Sequence, residues 1–246
     1  MRLKDRVILV TGATSGIGAA MAARFAEEGA RVEVHEQEPS GSHLFGDLQD
    51  ADLPKKLIDL TVSRHGRIDC IVNNAAVIVR SDLESTDAAL FDCVMAVNVR
   101  APLLLIQAAL PHFRSQGGGR VLNIGSVNAY CGSKNLLAYS ISKGALMTLT
   151  RNLSDAHGAE GIKVNQINVG WTHTEHEDQV MSEAGFPEDW AAELPAARAP
   201  GGRIFAPREV AEAAVFMLSD EARLLNGAVL DFAQNAMIGR NPAIDL

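Results

Sequence analysis

The run Arg6-Val7-Ile8-Leu9-Val10 leads directly into Thr11-Gly12-Ala13-Thr14-Ser15-Gly16-Ile17-Gly18, and the reading of this junction decides the fold. An apolar run with no polar alternation is what a parallel strand covered on both faces requires. The residues from Ala19 to Glu28 are rich in Ala, carry Met21 and Phe25, and stop at Gly29, the residue type that closes a helix. Strand, glycine turn and helix in that order bring backbone N–H groups and the positive end of a helix dipole to a phosphate, while the missing side chains let a pyrophosphate approach. A glycine cluster alone carries little weight; the strand before it and the helix after it are the context the motif needs.

Outward from the turn, Arg31 to Val34 forms a second strand, and His35, Glu36 and Gln37 follow just past its end. Glu36 stands about twenty residues after the glycine turn, where a carboxylate accepts the ribose hydroxyls of NAD and repels the 2′-phosphate of NADP. The nearest cations in sequence, Arg31 and Lys55, are inside the strand and far downstream, so NAD is the expected cofactor over NADP. The competing reading of Glu36 is an ordinary solvated loop acid.

Tyr139 and Lys143, four residues apart, share one face of a helix, and Ser126 lies thirteen residues upstream of the tyrosine. A phenol ordinarily releases its proton near pH 10, so it is a poor acid or base in neutral water. A neighbouring cation favours phenolate and is expected to lower that value. Such a pair is equally the pattern of a solvated helix surface, and the glycine turn decides between the two.

Together these residues resemble the short-chain dehydrogenase/reductase family in its short form, from about Leu3 to about Phe232. The resemblance implies an α/β, Rossmann-type, doubly wound and mostly parallel sheet with helices on both faces. It implies a cofactor site built from Thr11, Gly12, Thr14, Ser15, Gly16, Ile17 and Gly18, then Glu36, with Asp47 and Leu48 at the adenine. Asn74, Ala75 and Ala76, in a segment similar to the family's Asn-Asn-Ala-Gly, would support the cofactor. Ser126, Tyr139 and Lys143 would be catalytic, Lys143 also holding the nicotinamide ribose, and the Asn98 backbone would anchor a proton-relay water. Gly170, Thr172 and Thr174 would meet the nicotinamide end, Thr174 ahead of Thr172. The reaction implied is hydride exchange between a secondary alcohol or ketone and NAD(H), with Tyr139 trading the proton and Ser126 holding the oxygen.

The chain departs from the family pattern in several places. Ala76 replaces a glycine, Asn168-Val169-Gly170 lacks the usual proline, and Leu230-Asp231-Phe232-Ala233 replaces Val-Asp-Gly-Gly. Only Gln37 to Ser42 separates the second strand from His43-Leu44-Phe45, too short for the usual helix, so a Pro39-Ser40-Gly41 turn is expected there. Residues 233–246 would either close over a neighbouring site or form a loose end. Val127, Asn128, Tyr130 and Cys131 fall where the family surrounds its substrate. A lid over about 175–204 carries Glu175, His176, Glu177 and Asp178, then Phe186, Trp190 and Pro195. With Asn128, Trp171 and Trp190 as substrate residues, this polar lid base favours a sugar, polyol or other small polar alcohol, although the same residues suit a solvated surface. His173 and His176 have the spacing of metal ligands, but hydride transfer by Tyr and Lys needs no Lewis acid, so no metal is expected.

Composition bounds the alternatives. With 246 residues, 47% of them hydrophobic, the chain suits one sizeable α/β core, read as one domain over 1–246. A net charge of −8 with no basic run argues against nucleic acid. Cys70, Cys93 and Cys131 are odd in number and unclustered, as reduced thiols of a cytoplasmic protein are. The N-terminus carries no leader pattern, and no run of eighteen apolar residues suggests a membrane partner. Further strands are expected at Ile68–Val72, Val121–Ile124, Ile162–Ile167 and Ala228–Leu230, and helices at Leu90–His112, Ala138–His157 and Arg208–Leu218. His112 and His157, late in their helices, suit dipole partners. The family implies a homotetramer or homodimer, toward which Leu103 to Ile106, Leu146 and Leu149 would contribute apolar surface, buried core being the equal alternative. A non-catalytic NAD-binding sensor and an NAD-retaining isomerase are the competing functions. The sensor is opposed by the retained Tyr139 and Lys143, the isomerase by the lack of room for a second domain.

Overall fold

A computed structural model of the chain describes residues 1–37, 43–130, 132–192, 194–195 and 199–235. The expected Pro39-Ser40-Gly41 turn, Cys131 and the tail beyond residue 235 lie outside the described residues. The elements run β1 (Val7–Thr11), α1 (Gly16–Glu27), β2 (Arg31–Glu36), β3 (Leu44–Phe45), α2 (Leu53–His65) and β4 (Cys70–Asn73). They continue as α3 (Ala88–Met95), a π-turn (Ala96–Arg100), α4 (Ala101–Gln116), β5 (Gly119–Ser126), α5 (Leu137–His157), β6 (Ile162–Val169), α6 (Glu175–Glu183), α7 (Pro207–Leu218) and β7 (Val229–Phe232).

The strands form one parallel sheet in the order β3-β2-β1-β4-β5-β6-β7. Its pattern follows from β1, where every residue is buried. Ile8 and Val10 face one core, with Met21 and Phe25 of α1 and Val210, Ala214 and Val215 of α7. Leu9 faces the other, with Leu57 and Ile58 of α2 and Leu105, Ala109 and Phe113 of α4. Burying such a side chain contributes about 2 kcal/mol, so a strand apolar at every position is stable only with helices over both faces. The chain reverses direction across the sheet between β1 and β4. Crevices of open α/β sheets lie at such a switch point, beyond the strand carboxyl ends.

Several expectations shift here. His35 and Glu36 belong to β2 itself, and both are buried. β2 and β3 pair in parallel, His35 with Leu44 and Glu36 with Phe45, across an interval of only seven residues. α2 adds a helix to those expected, burying Leu53, Leu57, Ile58 and Thr61 along one stripe. Gly29 follows the α1 cap residue, Glu28, and takes φ +84°. The run Ala88–Gln116 is long and apolar enough to cross a membrane by composition, but here Val97, Ala101, Leu105, Ile106, Ala109 and Phe113 pack into the core over the sheet. Of the apolar residues considered for an oligomer face, Leu105, Ile106 and Leu146 are in the core, while Leu103 remains 41% exposed. Cys70 is fully buried, and burial pushes its thiol up to about 12, which makes it inert. His157 meets Glu160 at 2.8 Å as well as standing at its helix end.

Candidate active site

The glycine turn is held open from behind. Thr11 Oγ1 accepts the backbone N–H groups of Asn74 and Ala75 at 3.0 and 3.1 Å, and Asn74 Nδ2 donates to the carbonyls of Thr11 and Gly12 at 3.0 and 2.7 Å. Close backbone approach explains two glycines. A Cβ on Gly18 would lie 2.2 Å from the Gly12 carbonyl oxygen, and one on Gly12, at φ +61°, would lie 2.8 Å from Ala75 Cα. The helix that follows has no side-chain cap at Ser15 and no acid in its first turn, so its N-terminal amides face the crevice without a competing anion.

A cavity of about 1450 Å³ runs along the strand ends. Its wall at one end is Gly12, Thr14, Ser15, Gly16, Ile17 and Gly18, with Glu36 and Leu48 beyond. Asn74, Ala75 and Ala76 line the middle. Ser126, Asn128, Tyr139 and Lys143 form the next stretch, and Gly170, Trp171, Thr172, Thr174 and Trp190 the lid side. Three of the expected cofactor and catalytic residues stand outside this wall. Thr11 is buried with its hydroxyl engaged as above. Asp47 is exposed and accepts from Gln49 through both backbone and side chain. The Asn98 side chain is locked inside, accepting from Val77 N–H at 2.8 Å and donating to Val77 O and Ser142 Oγ, each at 3.0 Å. That leaves its main chain, in the π-turn, for any relay, and irregular turns of this kind are frequent at functional sites.

Ser126 ends β5, and Tyr139 and Lys143 lie one turn apart near the start of α5. Lys143 Nζ donates to the Ile124 carbonyl at 2.8 Å and sits 5.5 Å from the centre of the Tyr139 ring. Both side chains are buried. Burial raises the Tyr139 phenol above its ordinary value, a hydrogen bond with Ser126 acting in the opposite direction. The net direction is opposite to the expected lowering, and burial, which also brings the Lys143 ammonium down to about 8, is the leading cause for each group. The residues fit a dinucleotide: an uncapped helix terminus for a pyrophosphate, a buried carboxylate for a ribose, and a cavity long enough to join them. Glu36, with His43 Nδ1 at 3.3 Å from its carboxylate, bounds the cavity beyond the glycine turn.

A polar chain crosses the sheet behind the site. Asn73 donates to Asn123, Asn123 to Thr150, Thr150 to Gln166, Gln166 to Asn168 and Asn168 to Asp231, all between 2.7 and 2.9 Å. Tyr130, expected near a substrate, instead donates to Asp231 at 3.0 Å, so it anchors the turn after Ser126 to β7. His173 is likewise engaged with Asp178 at 2.7 Å. Arg80, Ser133 and Asn135 border the cavity without having been expected there, and His176 and Glu177 reach it from the expected polar lid base. Arg80 and Asn135 flank a β-bridge between Ser81 and Leu136, a tertiary contact that joins two loops distant in sequence and leaves no local sequence signal.

Fold and crevice define a Rossmann-type α/β architecture with its cavity at the strand carboxyl ends. A family model described as enoyl-(acyl carrier protein) reductase matches residues 12–232. The chain is 34% identical to an uncharacterized oxidoreductase of Thermotoga maritima, over 94% of this chain and 97% of that protein. It is 35% identical to L-fucose dehydrogenase of Mus musculus, over 97% and 90%. The ligand-free aldohexose dehydrogenase of Thermoplasma acidophilum superposes with a TM-score of 0.88 at 28% identity, covering 99% of this chain and 98% of that one. The chain belongs to the short-chain dehydrogenase/reductase family, whose members bind a nicotinamide cofactor.

Proposed function

We propose that this protein is an NAD(H)-dependent dehydrogenase that interconverts a secondary alcohol and a ketone on a sugar, polyol or other small polar alcohol. The observation that carries this reading is the convergence of Ser126, Tyr139 and Lys143 on the cavity whose far end is bounded by the glycine turn and Glu36. The glycine turn would hold the pyrophosphate, Glu36 the adenosine ribose, Lys143 the second ribose, and Thr174 the carboxamide end, with Thr172 beside it. Bound there, NAD would supply the hydride acceptor for oxidation.

Tyr139 takes the proton of the substrate hydroxyl, and Ser126 donates to the oxygen where charge develops. Lys143 stands beside the phenol and, ionised, stabilises phenolate. Asn98 holds the π-turn so that its main chain anchors a water through which the proton leaves. In the reverse direction the same groups protonate a ketone oxygen. Glu36 supports NAD over NADP, because a buried carboxylate repels a 2′-phosphate. The names of the L-fucose and aldohexose dehydrogenases support a hydroxyl-rich substrate. We assign the chain to one domain in the cytoplasm. A homotetramer or homodimer is proposed on the family pattern, with exposed Leu103 and Ile141 on α4 and α5 as contact residues.

Initial rates with NAD and with NADP across sugars, polyols, cyclic alcohols and hydroxy acids test the reading. NADH formation with one polar alcohol class is expected. Nucleotide binding without turnover of any alcohol would favour the sensor instead.

A further inference from the structure

The lid side of the cavity carries a fixed aromatic plate. The Trp171 and Trp190 rings lie 5.3 Å apart, tilted by 31°, and the edge of His173 meets Trp190 at 5.5 Å. Each indole N–H is engaged by a carboxylate from the first turn of α6. Trp171 Nε1 donates to Glu177 Oε1 at 2.8 Å, and Trp190 Nε1 donates to Asp178 Oδ1 at 2.9 Å. Asp178 also holds His173, and the α6 cap residue Thr174 accepts the Glu177 N–H at 3.2 Å. Trp190 is only 6% exposed and packs with Met181, Ala199 and Ile204, so it backs Trp171 rigidly.

Two consequences follow for whatever enters. With its N–H engaged, half-buried Trp171 contributes no further hydrogen bond, so its contribution to the cavity wall is apolar ring surface. At the edge of that ring stands Glu177, whose second oxygen, Oε2, has no hydrogen-bond partner among the described residues. A flat apolar face with an acceptor at its rim matches a saturated ring bearing hydroxyls: one face of C–H bonds lies on the indole and a hydroxyl at the ring edge reaches the carboxylate. An open-chain polyol has no continuous C–H face and must freeze several torsions to imitate one.

We infer that Trp171 and Glu177 select a cyclic polyhydroxylated substrate, a pyranose or a cyclitol-like ring, over an open-chain polyol of the same size; this rests on the alcohol-oxidising reading of the site. Trp171 supplies the stacking face, Glu177 accepts a ring hydroxyl next to the reacting carbon, and Trp190 and Asp178 are positioning residues behind them.

The test uses the full chain with NAD and matched substrates: cis-cyclohexane-1,2-diol against meso-hexane-3,4-diol, and a hexopyranose against its hexitol. The wild type is expected to favour the ring member of each pair by about tenfold or more in kcat/KM. Trp171→Ala should bring that ratio to near unity, chiefly through KM, while Trp171→Phe, which keeps an aromatic face, retains part of it. Glu177→Gln should weaken the cyclic diol more than cyclohexanol, which lacks the second hydroxyl. NADH titration of each variant shows that it has folded, and the phenylalanine variant serves if the alanine one has not. A ratio near one in the wild type, or a ratio that survives Trp171→Ala, overturns the inference while leaving the dehydrogenase standing. Turnover of no alcohol at all, ring or chain, removes the parent reading and the inference with it.

Discussion

Replacing Lys143 by Met is expected to abolish turnover and yet stabilise the protein at neutral pH. Lys143 is 3% exposed, and burial brings its ammonium from 10.5 down to about 8. Below about pH 8 the group is charged in both folded and unfolded chains, so folding bears the full cost of drying an ammonium. From about 8 to 10.5 the folded state has released the proton while the unfolded state still binds it, and stability rises with pH. Above 10.5 both states are neutral and the cost is gone. The difference of about two and a half pH units corresponds to about 3 kcal/mol. Methionine cannot ionise, but it leaves the Ile124 carbonyl without its donor at 2.8 Å, a loss of about 1–2 kcal/mol that does not vary with pH. Lys143→Met should therefore be more stable than the wild type at pH 7 by about 1–2 kcal/mol, or about 2–8 °C in Tm. That advantage should shrink and then reverse as pH approaches 10.5. Thermal melts of both proteins without nucleotide, across this range, measure the gap. Parallel curves would refute the reasoning, because they would mean that the lysine does not titrate differently on folding.

Gly18→Ala places a methyl carbon 2.2 Å from the Gly12 carbonyl oxygen and 2.5 Å from Asn74 Nδ2. Backbone must move, so a loss of about 1–3 kcal/mol is expected, with nucleotide affinity falling about tenfold or more; melts and NADH titration read both, and unaltered binding would detach the turn from the cofactor. Glu36→Gln keeps the shape of the side chain and removes its charge, so the ratio of kcat/KM for NAD over NADP should fall about tenfold. An unchanged ratio would place discrimination elsewhere.

Much of the fold could be read because β1 and its turn are local: five consecutive buried residues announce a two-sided sheet, and the glycines announce close backbone approach. Tyr139 and Lys143 could be paired because helical spacing is local too. What escaped the sequence depends on packing across distance. Thr11 belongs to the turn by position, but its hydroxyl is taken by Asn74 and Ala75, which arrive from β4. Tyr130 lies between Ser126 and Tyr139 in sequence, yet β7 brings Asp231 to it from a hundred residues away. The direction of the Tyr139 shift depended on how deeply both partners are buried, and spacing carries no information about that. α2 is a different case. Leu53, Leu57, Ile58 and Thr61 form a readable stripe, but Lys55, Lys56 and Asp59 between them dilute its apolar signal.

The central claim is that Tyr139 trades the substrate proton within an NAD site. Its most direct test is the rate of NADH formation by wild type and Tyr139→Phe, at saturating NAD and a ring alcohol that the wild type oxidises, with NADH affinity measured alongside. The account expects unchanged NADH affinity and a loss of about 10²–10⁴-fold in kcat, the range that a positioned general acid–base contributes. Full activity in Tyr139→Phe would contradict it.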